Sequence, residues 1–121
     1  MLYSTLMIRV VNRRFCSKGE YIGRPSPLGN PFTHLSNSKH AEIMVATRDE
    51  AIDGYEQWLH GKLRDGDHGI AMELRRLKSI LDDTGNLTLV CWCKPARCHG
   101  DVIKSILEKW DSFRCLYPCL G

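Results

Sequence analysis

The sequence predicts a single α/β domain, with a layered, Rossmann-like, mostly parallel sheet flanked by helices, and three observations predict it. Leu6, Met7, Ile8, Arg9, Val10 and Val11 form a short apolar, partly β-branched run that reads as an inner strand. Leu87, Thr88, Leu89 and Val90 form a second such run. Between and after these runs, apolar residues recur at spacings of three and four, the pattern of helices that bury one face. Strands followed by helices imply an α/β architecture with right-handed crossovers.

The first strand stops at Asn12, Arg13 and Arg14. From Phe15 to Ser38 periodicity is weak and punctuation dense, with Gly19, Gly23, Pro25, Pro27, Gly29 and Pro31 predicting a long loop. Loops of that length in compact domains are functional or mobile. Thr47, Arg48, Asp49 and Glu50 have the form of a capping box, with hydroxyl and carboxylate satisfying each other's orphan amides. The helix that follows carries Ala51, Ile52, Tyr55, Trp58, Leu59 and Leu63 on its apolar stripe and exits at Gly61 or at Asp65 and Gly66. Ile70, Leu74, Leu77, Ile80 and Leu81 predict a second helix, closed by Thr84, Gly85 and Asn86 before the Leu87 strand. Val102, Ile103, Ile106, Leu107 and Trp110 share a face of a third helix. Pro95 is excluded from a helix interior, and Gly100 with Asp101 suits a first turn, so this helix starts near Cys98. The tail from Asp111 to Gly121 holds Phe113, Leu116, Tyr117 and Pro118, enough apolar character to pack back on the domain.

Composition bounds the function classes. A chain of 121 residues, 43% hydrophobic and 26% charged, is long enough to bury a core without disulfide staples. A formal charge of +3 permits an anionic ligand but falls short of a nucleic-acid footprint. Met1 to Val11 lacks the long apolar core of an export signal, and no stretch of membrane-spanning length is apolar, so the expectation is a cytoplasmic protein without a membrane partner. In that compartment the six cysteines read as thiols or metal ligands. Cys16, Cys115 and Cys119 stand alone and read as small packed or exposed thiols, whereas Cys91, Cys93 and Cys98 cluster with His99.

That cluster lies where a strand ends and a helix begins, a place where backbone amides point outward. Cys98 near the N-cap would feel the positive end of the helix dipole, with Arg97 and Lys94, which favours thiolate; Asp101 in the same turn opposes it. His99 has a ring suited to proton transfer, although adjacent side chains diverge and need not touch. Ligands of open α/β sheets collect beyond the carboxyl ends of strands, where Asn12, Arg13 and the Cys91 to His99 segment would emerge together if their strands are parallel neighbours.

Val11, Asn12 and Arg13, then the run from Tyr21 to Phe32, then Thr47 to Ala51, and finally Cys91 to Pro95 with Cys98 to Asp101, together resemble the family catalogued as domain of unknown function 4326. The resemblance covers roughly residues 7 to 110 in order, leaving 111 to 121 as a tail. It implies a fold and a site, in a family of bacteria and their phages with no settled reaction; Arg97 and the tail depart from its pattern.

Several functional readings follow. In the first, the domain binds a nucleotide-like or otherwise phosphorylated small molecule and is a hydrolase or transferase. Arg13 and Arg24 hold the anion, Gly23 and Gly29 let backbone approach it, and Asn12 and Asn30 orient its neutral part. Cys98 or Cys93 attacks, His99 moves the proton, and Asp101 caps the helix and fixes Arg24 or His99. The bland alternative is that Arg24, Pro25 and Gly29 to Phe32 only lock a loop, with Arg24 paired to a carboxylate such as Asp101. Cys91 and Arg97 have the spacing of a cysteine phosphatase loop, but Pro95 removes an amide such a loop needs. In the competing class the domain is noncatalytic. Zinc would be held by Cys91, Cys93, Cys98 and His99, with unusual gaps between ligands. Alternatively nucleic acid would meet Arg13, Arg14, Arg24, Arg75, Arg76 and Lys78, with Tyr21 and Phe32 stacking. His34, His40, His60 and His68 read as surface residues.

Overall fold

The fold was described from a computed structural model covering residues 6–33 and 43–121. His34 and His40 lie outside the described residues. Strand β1 (Met7–Asn12) pairs in parallel with β5 (Asn86–Cys91) along its whole length, from Met7 opposite Asn86 to Asn12 opposite Cys91. Strand β2 (Glu20–Tyr21) lies parallel on the other side of β5, giving the order β1-β5-β2. Thus β5 is the central strand, and Leu87, Leu89, Val90 and Cys91 are buried as its continuous apolar run requires. The expected inner position of β1 is corrected: among the described residues it pairs only with β5, and Leu6 and Met7 are exposed. Two further short parallel strands, β3 (Phe32–Thr33) and β4 (Ile43–Met44), form a separate pair.

Helix α1 (Arg48–Arg64) starts at Thr47, whose hydroxyl accepts from the Glu50 amide at 3.1 Å. The return half of the box differs from expectation, because the Glu50 carboxylate accepts from Ala46, one residue further out. The helix runs past Gly61 and ends at Asp65, with Gly66 at a φ of 74°. Helix α2 (His68–Thr84) is capped by the Asp67 side chain and closed by Gly85 in the left-handed region. Helix α3 (His99–Glu108) buries Val102, Ile103, Ile106 and Leu107. It stops at Lys109, so Trp110 opens a separate helix α4 (Trp110–Leu116), followed by a 3₁₀ turn over Pro118–Leu120.

One hydrophobic core joins these elements, from Ile8 and Leu89 through Tyr55, Leu59, Leu74 and Ile106 to Tyr117 and Leu120 of the tail. The tail therefore packs back, as its apolar content predicts. His60 is part of that packing and not a surface group: its Nδ1 meets the Tyr117 hydroxyl at 2.8 Å. No helix of the described residues is long and apolar enough to cross a membrane.

Candidate metal centre at the carboxyl edge of the sheet

The parallel pairing of β1 with β5 brings Asn12 and Cys91 to the same edge of the sheet, the edge where open α/β sheets collect ligands. Strand alternation carries two residues beyond β5, so Cys91 and the partly buried Cys93 turn inward and Trp92 turns out, 56% exposed. The Lys94–Pro95 peptide is cis, and Ala96 donates to the Cys93 carbonyl at 2.9 Å, so the chain folds back toward α3. Cys98 is the N-cap, with extended backbone at φ −136° and ψ 148°, and its sulfur accepts from the Gly100 amide at 3.3 Å. Asp101 completes the box by accepting from the Cys98 amide, and Lys94 donates to the same carboxylate at 2.7 Å. Asp101 is thus a capping residue paired with Lys94, with no bond to Arg24 or His99.

The extended N-cap followed at once by helical backbone turns two adjacent side chains to one side. The Cys98 Sγ lies 3.7 Å from His99 Nδ1, contrary to the divergence expected of neighbours. The other ring nitrogen, Nε2, lies 2.7 Å from the Ile22 carbonyl. A carbonyl can only accept, so Nε2 carries the proton and Nδ1 of the neutral ring presents a lone pair to the sulfur. Burial holds the His99 imidazolium below its ordinary value of 6.5, which keeps the ring neutral. Tyr55, buried and bonded to the Leu28 carbonyl at 2.8 Å, packs edge-on against the imidazole at 5.0 Å and fixes its plane.

Cys93, Cys98 and His99 offer one ligand atom each, all within 4.8 Å of one another. Cys91, fully buried at the end of β5, stands beside this group without belonging to the set that lies within 4.8 Å. Side-chain hydrogen bonding among the three cysteines holds the Cys91 thiol well below its ordinary 9.0, and pushes Cys93 and Cys98 up. The direction at Cys98 is thus opposite to the thiolate expected at the N-cap. The groups expected to favour Cys98 are engaged elsewhere, Arg97 with Asp49 and Asp53 of α1, and Lys94 with Asp101. Cys98 is also fully buried, closed to an incoming substrate atom.

The remaining expected site residues lie on the neighbouring segments from Asn12 to Asn30. Asn12 donates to the Trp92 and Lys94 carbonyls at 3.0 and 2.7 Å, stitching the turn after β1 to the cysteine loop. Arg24 donates to the Asn30 and Phe32 carbonyls at 2.7 and 3.2 Å, the loop-locking alternative. Asn30 is buried, donating to the Ala51 carbonyl and accepting from the Phe32 amide. A Cβ on Gly23 would meet the Tyr21 hydroxyl at 2.3 Å, and one on Gly29 would meet the Arg24 Cα at 2.9 Å, so both glycines serve close packing within the loop. Arg13 is exposed, its guanidinium over the Tyr21 and Trp92 rings at 5.2 and 5.6 Å. Tyr55 and the Ile22 carbonyl escape sequence reasoning, because a helix-stripe tyrosine and a backbone oxygen carry no local signal of a site. The exposed Trp92 between two inward cysteines is signalled by alternation alone.

The fold and the site together define a small α/β domain whose central strand delivers a thiol-imidazole corner to a helix start. The chain belongs to the family of the Domain of unknown function (DUF4326), whose model matches residues 9–109. No curated protein and no solved structure matches it.

Proposed function

We propose that Cys91, Cys93, Cys98 and His99 hold one zinc ion, and that the domain is a metal-ordered binding module. A tetrahedral zinc with Zn–S about 2.3 Å and Zn–N about 2.05 Å has S···N edges of about 3.6 Å and S···S edges of about 3.8 Å. The 3.7 Å between Cys98 Sγ and His99 Nδ1 matches such an edge. The observation that carries the reading is the His99 tautomer. Its Nε2–H is spent on the Ile22 carbonyl, the outer bond that orients a metal-bound histidine, and its lone pair faces the sulfurs. Soft thiolates with one imidazole select zinc over the hard cations. The ligand atoms of Cys93, Cys98 and His99 already lie within 4.8 Å of one another, and Cys91 taken as the fourth ligand would leave no open position, the signature of a structural centre.

The nucleophile reading, with Cys98 attacking a nucleotide-like or phosphorylated substrate, has less support. A reactive cysteine needs exposure and a lowered pKa. Here Cys98 is buried and its thiol is pushed up by donation to Cys91 and Cys93.

Metal analysis of untagged protein purified from zinc-supplemented medium tests the proposal. One zinc per chain is expected, lost in Cys98→Ser and in His99→Gln and kept in Cys16→Ser. Cobalt substitution should give the visible absorption of a tetrahedral thiolate centre. Metal-free protein whose Cys98 is alkylated rapidly under native conditions would overturn the metal and return the nucleophile.

A further inference from the structure

Beside the cysteine corner lies a surface that the metal does not use. Asn12 holds it together: its carbonyl accepts from the Phe15 and Cys16 amides at 3.0 Å each, its side-chain oxygen from Arg14, and its amide donates to Trp92 and Lys94. Two large aromatics are thereby fixed outward on neighbouring turns, Phe15 at 80% exposure and Trp92 at 56%. Water-facing aromatic rings cost hydration free energy, and here two of them share one ordered edge. The Trp92 ring is further held by its Nε1–H donation to the Tyr21 hydroxyl at 3.1 Å and by the Arg13 guanidinium on its face.

The charge around these rings has one sign. Arg9, Arg13, Arg14 and Lys18 are exposed, and no Asp or Glu occurs from residue 6 to residue 19. Among the described residues none of these four has an ion-pair partner, whereas Arg76 and Lys78 of α2 are paired with Glu20, Glu73 and Asp82. Cations interleaved with exposed rings match a strand whose phosphates are anionic and whose bases present flat faces. A duplex hides those faces. We propose that Arg13, Arg14, Phe15 and Trp92 form a binding platform for single-stranded nucleic acid, with bases stacking on Phe15 and Trp92 and phosphates meeting the arginines and Lys18. Because no metal-ligand candidate takes part, the platform stands or falls apart from the zinc centre.

Fluorescence anisotropy of a labelled single strand of about 12 nucleotides, with the full chain as purified at low salt, tests it. Stacking on one ring supplies enough that Trp92→Ala and Phe15→Ser should each weaken binding roughly 10-fold. Trp92→Phe should keep affinity within about 3-fold, since a ring remains. Arg75→Ser on α2 should leave it unchanged. Phe15, being almost wholly exposed, can be replaced without unfolding the domain, so the test does not depend on Trp92→Ala folding. No binding by the parent protein, equal binding of a duplex, or unchanged affinity in Phe15→Ser would overturn the platform. Competition by a nucleoside monophosphate as effective as the oligomer would also overturn it, by making the surface a small-ligand site.

Discussion

His99 spends one ring nitrogen on a backbone carbonyl and keeps the other for the sulfurs, a division that works only while the ring is neutral. Burial holds its pKa below 6.5 in the folded domain. In the metal-free protein the unfolded chain therefore takes up a proton near 6.5 that the native state refuses. With more protons bound to the unfolded state, stability is complete above that value and falls as pH drops, by up to about 1.4 kcal/mol per pH unit, until the folded pKa is reached. Urea unfolding of metal-free protein between pH 5 and 8 should show this slope, and His99→Gln should flatten it by one proton. Equal slopes in the two proteins would mean that the imidazole takes up its proton at the same pH in the folded and unfolded states. With zinc bound as proposed, acid would act in the same direction, because protonation of the ligands would release the metal.

At the level of elements, the corner depends on how closely α3 approaches the sheet. A Cβ on Gly100 would fall 2.7 Å from Val10 Cγ1 and 2.9 Å from Ile22 Cδ1, so only glycine lets the first turn settle between β1 and the segment after β2. Gly100→Ala gains about 1 kcal/mol of helix propensity but overpacks a buried junction at a cost of about 1–3 kcal/mol. The expected net result is a lower urea midpoint together with weaker zinc retention, measured by competition with a chelator; a midpoint at or above the parent's would show that the junction yields freely. The sequence announces this helix start clearly, since Pro95, Gly100 and Asp101 leave Cys98 as the natural cap. It does not announce that Cys98 and His99 converge, because convergence comes from an extended cap followed at once by helical backbone, and spacing carries no dihedral angle. Strands β2, β3 and β4 are two residues each, too short for an alternation to register, so the Tyr21 to Thr33 segment reads only as loop. The break at Lys109 is hidden for the opposite reason: Trp110 continues the apolar spacing of α3 although the chain there starts a new helix.

Across the whole molecule the corner is a meeting point of five elements. β5 supplies Cys91, α3 supplies His99 behind the Cys98 cap, and β1 reaches the loop through Asn12. The residue after β2 receives the His99 proton at its carbonyl, and α1 contributes the Tyr55 ring and the two carboxylates that hold Arg97. Arg97 is on the surface, so its pairs are worth well under about 1 kcal/mol, and the buried contacts to Cys91, Cys98 and His99 must do most of the joining. The opposite end of the core, where α2 meets the tail around Leu74, Leu77 and Leu120, has no share in the cluster. Metal removal should therefore loosen the molecule unevenly. Native-state hydrogen exchange with and without chelator is expected to show amides of residues 20–33 and 91–103 losing protection by roughly tenfold or more, about 1.4 kcal/mol of local opening, while those of 74–81 change little. The bond from the Ile22 amide to the Val90 carbonyl, 3.0 Å long and one residue from the corner, is the most direct reporter. A uniform loss across α2 and the sheet would show instead that the ion supports the whole core as one cooperative unit. No change anywhere would show that packing alone holds the corner.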